Sequence, residues 1–277
     1  PLDRSTFKRM AVTGPNVKST SMLEGNYHGS ASHPISLLRG IPQLAGPPIE
    51  ITSAMGSPIT TNKATAAWSG QDNTTTRAPA ELAAEALNLA TNADLIIYVG
   101  GITSAQEGEG FDRKGIELPE VQENLIQALH ATGKPMVMVN CSGSAVALTW
   151  EDEHLPAILQ AWYPGQQGGR AVAEVLFGEV NPSGHLPVTF YRATANLPAF
   201  TDYSMNNRTY RYFGGKPLYA FGHGLSYTSF DYRNGKLASK KITANGKVDL
   251  KFTVKNTGKR DGDAVAQVYY RRLNSNV

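Results

Sequence analysis

The run Gln106-Glu107-Gly108-Glu109-Gly110-Phe111-Asp112-Arg113 gathers three carboxylates and a guanidinium on one short stretch. Paired carboxylates are the equipment of acid–base work. Crowded like charges keep a proton on one member, which is what a general acid near neutral pH needs. Gly108 and Gly110 let the backbone pass close to a ligand, and Glu107 and Glu109, two positions apart, point the same way if the loop is extended. The competing reading is a solvated acidic loop, and on this stretch alone the two stand level.

The neighbours of that run say what must hold it. Leu95-Ile96-Ile97-Tyr98-Val99 reads as a buried strand leading into it. Pro119 opens a helix with Val121, Leu125 and Leu129 at i, i+4 and i+8, closed by Gly133 and Pro135. The acidic loop therefore sits at the carboxyl end of a strand, where open α/β sheets bind ligands. Further strands are expected at residues 10–12, near Ile49, and at 136–141, 157–162 and 186–191. Helices are expected at 34–44, 80–93 behind Pro79, 145–150 as a short turn, and 170–177. This alternation predicts an α/β fold, a mostly parallel sheet sandwiched by helices with right-handed crossovers. The loops at 101–115, 142–144 and 163–169 would then gather along one edge, the candidate site.

Composition narrows the partners. With 277 residues and 41% hydrophobic against 18% charged, the chain can bury a full core, and no apolar run approaches the roughly 20 residues of a membrane span. A net charge of +3, from 26 basic and 23 acidic side chains, is too small and dispersed to argue for nucleic acid. The single cysteine, Cys141, excludes an internal disulfide and reads as a small core residue. The histidines show no metal-ligand spacing, so neither metal nor cofactor is expected. Glycines at 100, 101, 108 and 110 do not form Gly-x-Gly-x-x-Gly, and the carboxylates among them would repel phosphate, which disfavours a nucleotide site. Two Asn-x-Thr sequons, at Asn73 and Asn207, matter only in a secreted eukaryotic protein.

The texture changes along the second half. From 196 to 227 the chain is aromatic and glycine-rich, which reads as an ordered meander packed by its rings, or as a platform for stacking sugar rings. From Lys247, Val248, Leu250, Phe252 and Val254 alternate with polar residues, an amphipathic strand turning at 256–259 toward a partner at 264–270. Two strands cannot bury a core of their own. A division is thus expected between residues 1–235, an α/β domain carrying the acidic loop, and residues 236–277, part of an incomplete β-sandwich.

Taken together, several stretches resemble glycoside hydrolase family 3. They are Val99-Gly100-Gly101 followed by Glu107 to Arg113, Leu118-Pro119, and Ala161-Trp162-Tyr163-Pro164-Gly165-Gln166. Residues 178–187 (Gly-Glu-Val-Asn-Pro-Ser-Gly-His-Leu-Pro), 208–213 (Arg-Thr-Tyr-Arg-Tyr-Phe) and 221–227 (Phe-Gly-His-Gly-Leu-Ser-Tyr) follow in the family's order. The resemblance implies a retaining β-glycosidase of β-xylosidase or β-glucosidase type, in which a (β/α)8 barrel supplies an aspartate nucleophile and the α/β domain the glutamate acid/base. It implies Glu109 for that role, with Glu107 as second choice, and Asp112, Arg113 and Tyr27 (in Asn26-Tyr27-His28-Gly29) as substrate contacts. The strand from Lys247 resembles the start of a fibronectin type III-like domain.

No barrel sequence precedes Pro1, so the nucleophile is expected on a barrel domain present in cis or in trans, and little turnover is expected from this chain alone. The implied substrates are β-linked xylo- or gluco-oligosaccharides, xylosidase being favoured over glucosidase. Family habit suggests a secreted or periplasmic location. The alternative is a non-catalytic carbohydrate-binding or structural module.

Overall fold

The computed structural model describes residues 1–62, 72, 74–271 and 273. The first sequon's Asn73 and the stretch 63–71 lie outside the described residues. Five strands, β1 (Arg9–Thr13), β2 (Glu50–Ala54), β3 (Leu95–Gly101), β4 (Met136–Cys141) and β5 (Ala157–Gln160), form one parallel sheet in the order β2-β1-β3-β4-β5. The register pairs Met10 with Ile51 and Leu95, Tyr98 with Met138, and Met138 with Ile158. The chain goes to one side of β1 for β2 and to the other for β3, so the order reverses between β1 and β3. Loops leaving the carboxyl ends of those two strands border the crevice that such a reversal opens.

Helices cover both faces, as the alternation predicted. On one face α1 (Leu37–Ala45) and α6 (Gly168–Leu176) set Leu37, Ile41, Val172 and Leu176 against Met10, Val12, Ile97, Val99 and Val139. On the other, α2 (Pro79–Asn92) and α4 (Glu120–His130) set Ala86, Ala90, Leu125, Ile126 and Leu129 against Ile96, Tyr98, Met136 and Met138. Successive strand residues face opposite layers, so every position of β3 and β4 is buried, and apart from Asn140 in β4 both read as apolar runs rather than alternations. Cys141 ends β4 fully buried, its thiol pushed up to about 12 by that burial, as a core residue and not a nucleophile.

Three expectations are corrected. The acidic run is not a simple extended loop: Ser104–Glu107 forms a helical turn, α3, with Gln106 Oε1 accepting the Thr103 N–H at 3.1 Å. No strand forms over 186–191. Pro187 has no N–H to donate, and the pairing is broken into two separate contacts, Leu186 with Gly222 and His223 and the bridge of Phe190 to Tyr219. Residues 264–270 form no strand. The partner of β7 (Leu250–Asn256) is β6 (Phe230–Leu237), an upstream strand whose bulge between Arg233 and Lys236 holds Asn234 at φ +59°. Asn234-Gly235 in mid-strand looks like a breaker in sequence, yet a bulge accommodates it. β6 also runs across position 235/236, where the division of the chain was expected.

One buried acid has a measurable consequence. Glu151, on α5 (Thr149–His154), is 2% exposed, and desolvation pushes its carboxyl up to about 7, with Glu123 adding to the rise and His154 opposing it. The folded chain thus holds a proton that the unfolded chain releases at lower pH. Stability is greatest where Glu151 is protonated and falls as pH rises through the window up to about 7. Glu151→Gln is expected to stabilise the protein by about 2 kcal/mol at pH 8 and by much less at pH 5. Thermal midpoints at the two pH values check this, and an equal gain at both would refute it.

Candidate active site

All five strands of the parallel sheet end on one edge, and the connections after four of them carry the candidate groups. That after β1 holds Tyr27, that after β3 the acidic run, that after β4 Ser142-Gly143-Ser144, and that after β5 Trp162 and Tyr163. The acidic connection starts from a tightly held point. Gly101 has φ +118°, and a Cβ there would fall 2.0 Å from the Cys141 carbonyl oxygen, so only glycine fits. Gln122 of α4, fully buried, ties the strand end down. Its Oε1 accepts from Gly101 N (3.0 Å) and Tyr98 OH (3.1 Å), and its Nε2 donates to Gly101 O (2.7 Å) and Ile59 O (2.8 Å).

Glu107 closes α3 half-buried, and three donors converge on it. The Gly143 N–H reaches Oε1 at 2.5 Å, the Tyr163 hydroxyl also donates to Oε1, and the Ser144 hydroxyl donates to Oε2. Gly143 must be glycine for this closure, because a Cβ would lie 2.8 Å from the Tyr163 ring and 2.9 Å from Glu107 Oε1. Burial and the adjacent Glu107 push the Tyr163 phenol far upward, so it stays protonated and donates. Arg113 does not pair the loop carboxylates directly. Its Nη2 donates to Ser144 Oγ (2.8 Å) and Ala145 O (2.9 Å), meeting Glu107 through the Ser144 hydroxyl. Burial pulls its guanidinium below the usual value, and Glu107, Tyr163 and Glu117 oppose that fall.

Glu109 stands apart from this network. It is exposed, its Oε2 accepts from the Tyr27 hydroxyl, and together with Asn26, Tyr27, Gly108 and Phe111 it lines a cleft of about 250 Å³. Tyr27 and Glu109 therefore arrive from the two connections that flank the reversal in strand order. Tyr27 is 88% exposed with φ +54°, and its turn is braced by Glu24, which accepts the Ala31 N–H and pairs with His28, both at 2.8 Å. Asp112 is exposed beside the network. The structure thus brings Glu109 and Tyr27 together, sets Glu107 and Arg113 beneath them, and does not make the two glutamates a pair.

Sequence reasoning set Ser144 on the candidate edge without giving it a role, and missed Gln122 and Asp72 altogether. Asp72 accepts from Ser19 Oγ (2.5 Å), Thr20 N (2.6 Å) and Ser21 Oγ (2.7 Å), fixing the chain that leads to Tyr27. Burial raises its carboxyl, but these bonds outweigh that and lower it. Gln122 was legible: Gln122, Leu125, Ile126 and Leu129 form the buried i, i+3, i+4, i+7 stripe of α4, which puts an amide in a core position. Among the described residues, no cluster of three His, Cys, Asp or Glu side chains could hold a metal ion. An exposed carboxylate at the rim of a cleft, on a loop locked from below, is equipped to exchange a proton with a bound substrate.

Comparison with known proteins places this edge in a family context. Residues 1–227 match the glycosyl hydrolase family 3 C-terminal domain. A xylan 1,4-beta-xylosidase of Xylanibacter ruminicola is 48% identical over 64% of this chain and 22% of its own length. A periplasmic beta-glucosidase of Salmonella typhimurium is 35% identical over 97% of this chain and 37% of its own length. A solved GH3 exo-beta-xylosidase (XlnD), in complex with a xylobiose aziridine activity-based probe, superposes with a TM-score of 0.75 at 30% identity, covering 95% of this chain and 36% of that one. The chain thus spans between about a fifth and two fifths of the length of these relatives. On the match from residue 1 to 227, and on relatives similar along nearly its whole length, this chain belongs to glycosyl hydrolase family 3, as its C-terminal domain.

Proposed function

We propose that this chain supplies the general acid/base of a retaining, exo-acting β-glycosidase that cleaves β-linked xylose or glucose units, with Glu109 as that acid/base. The aspartate nucleophile is assigned to a barrel domain joined in cis or in trans. The observation that carries the reading is the contrast between the two glutamates: Glu107 accepts three hydrogen bonds, whereas Glu109 stands exposed at the cleft. In a retaining enzyme the acid/base lies roughly 5 Å from the nucleophile carboxylate. A side chain that must reach the mouth of a second domain has to project from the sheet edge, as Glu109 does.

Tyr27 and Asp112 are assigned to face the sugar, and Arg113 to act through the loop it supports. Xylose is favoured over glucose because the 48%-identical relative is named a xylan 1,4-beta-xylosidase. A periplasmic or secreted location follows the relative named periplasmic, and no helix among the described residues is long and apolar enough to cross a membrane. The division into an α/β domain, 1–235, and a fibronectin type III-like part, 236–277, is kept as a proposal, with β6 beginning earlier, at Phe230.

The second reading, a carbohydrate-binding or structural module, is favoured by one feature. Phe200 (75% exposed) and Tyr203 (84% exposed) lie next in the chain to a cleft of about 620 Å³ lined by Ser204 to Asn206 and Thr209 to Tyr212. The test is hydrolysis of aryl β-xyloside and aryl β-glucoside by this chain alone and mixed with a separately expressed family 3 barrel domain. Turnover is expected only in the mixture, faster on the xyloside. Silence in the mixture, with the barrel shown to bind, would favour the module, and turnover by the chain alone would end the division of labour proposed here.

A further inference from the structure

The acidic connection is fastened at both ends to the same turn. Before Glu109, Glu107 is held by the Gly143 N–H and Ser144 hydroxyl of the turn after β4 and by Tyr163 of the turn after β5. After Glu109, Arg113 is held by the Ser144 hydroxyl and the Ala145 carbonyl of that same turn after β4. Ser144 serves both fastenings. The residue that delivers Tyr163 is itself unusual: Trp162 has φ +56°, a left-handed backbone that bulky side chains rarely adopt and that the surroundings must enforce. Five residues separate the two fastenings, with Glu109 among them, so its carboxylate inherits its place from them.

Resting on the reading of Glu109 as acid/base, we propose that Glu107 is a positioning residue: its carboxylate, bridging the turns after β4 and β5, sets where Glu109 stands and takes no part in proton transfer. Glu107 cannot do the transfer from here without releasing the Tyr163 and Ser144 hydroxyls. A displacement of about 1 Å at a reacting group costs on the order of 100-fold in rate. Losing Glu107 therefore weakens catalysis through Glu109's position, not through the loss of an acid.

The test uses a protein joining this chain to a family 3 barrel domain, with activated and unactivated aryl glycosides. Glu107→Ala is expected to lower kcat by about 30- to 100-fold with little change in KM. Glu107→Gln, which keeps an oxygen for Gly143 and Tyr163, is expected to recover most of the loss. Combining Tyr163→Phe with Glu107→Ala is expected to cost less than the product of the single effects, because both break one contact.

Azide, an anionic nucleophile that needs no base, separates the roles. It is expected to accelerate turnover of the activated substrate by Glu109→Ala and to leave Glu107→Ala unchanged. Rescue of Glu107→Ala by azide overturns the proposal. Wild-type kcat in Glu107→Ala, with Glu109→Ala rescued, overturns the positioning role and leaves the acid/base reading intact. Full activity in Glu109→Ala overturns that underlying reading instead. If Glu107→Ala melts below the assay temperature, Tyr163→Phe, which removes one donor and preserves the ring, carries the same kcat measurement, with a wild-type value counting against the proposal.

Discussion

Replacing Glu109 by Gln in a barrel-containing protein is expected to slow hydrolysis of glycosides with poor leaving groups by roughly 10²- to 10⁴-fold, the usual contribution of a positioned general acid. The amide keeps the shape and the Tyr27 contact but has no proton to give at neutral pH. Glycosides whose leaving group departs as a stable phenolate need little protonation, so their glycosylation step is expected to be much less affected. The signature is therefore a steep dependence of rate on leaving-group basicity that the parent lacks. A uniform loss across leaving groups would mean that Glu109 acts on binding alone, and an unchanged rate would mean that the proton comes from elsewhere. Because Glu109 is exposed and Glu107 carries the structural bonds, no loss of stability is expected with Glu109→Gln.

The main features of the α/β sheet were legible because the signals were strong. β3 and, up to Asn140, β4 are continuous apolar runs, α2 is opened by Pro79, and the repeating order of elements admits few topologies. The candidate site was marked out as a place, since a charged, glycine-bearing connection after a buried strand lies where open α/β sheets bind ligands. What stayed hidden was how differently the two glutamates are surrounded. That depends on Tyr163 and Ser144, distant in sequence from Glu107 and adjacent only after β3, β4 and β5 align. Period-two alternation likewise found β7 but misplaced its partner, because β6 hides Asn234-Gly235 in a bulge and a strand's partner is set by packing, not by sequence proximity.

Gln122→Leu is expected to be the most destabilising of the single changes considered, by about 3 to 5 kcal/mol. The shape of the side chain is nearly kept, and leucine suits a helix at least as well, so neither a cavity nor propensity accounts for the loss. The loss comes from the partners left behind. Gly101 N–H, Gly101 O and Ile59 O are each satisfied by the one amide, and each buried group so orphaned costs on the order of 1–3 kcal/mol. Tyr98, fully buried, loses an acceptor as well. Set against a total stability of roughly 5–15 kcal/mol, this is a large fraction.

Gln122→Glu makes the comparison sharper, since it keeps the acceptor for Gly101 N–H and Tyr98 but loses both donors and brings a buried charge. It is expected to fall by at least as much at pH 8 and to recover partly in acid, where a protonated carboxyl regains one donor. Urea midpoints of the three proteins at pH 5 and pH 8 measure both effects. A loss under about 1 kcal/mol for Gln122→Leu would show that water or a shifted backbone replaces the amide. The acidic connection would then take its position from Glu107 and Arg113 rather than from the strand end that Gln122 holds.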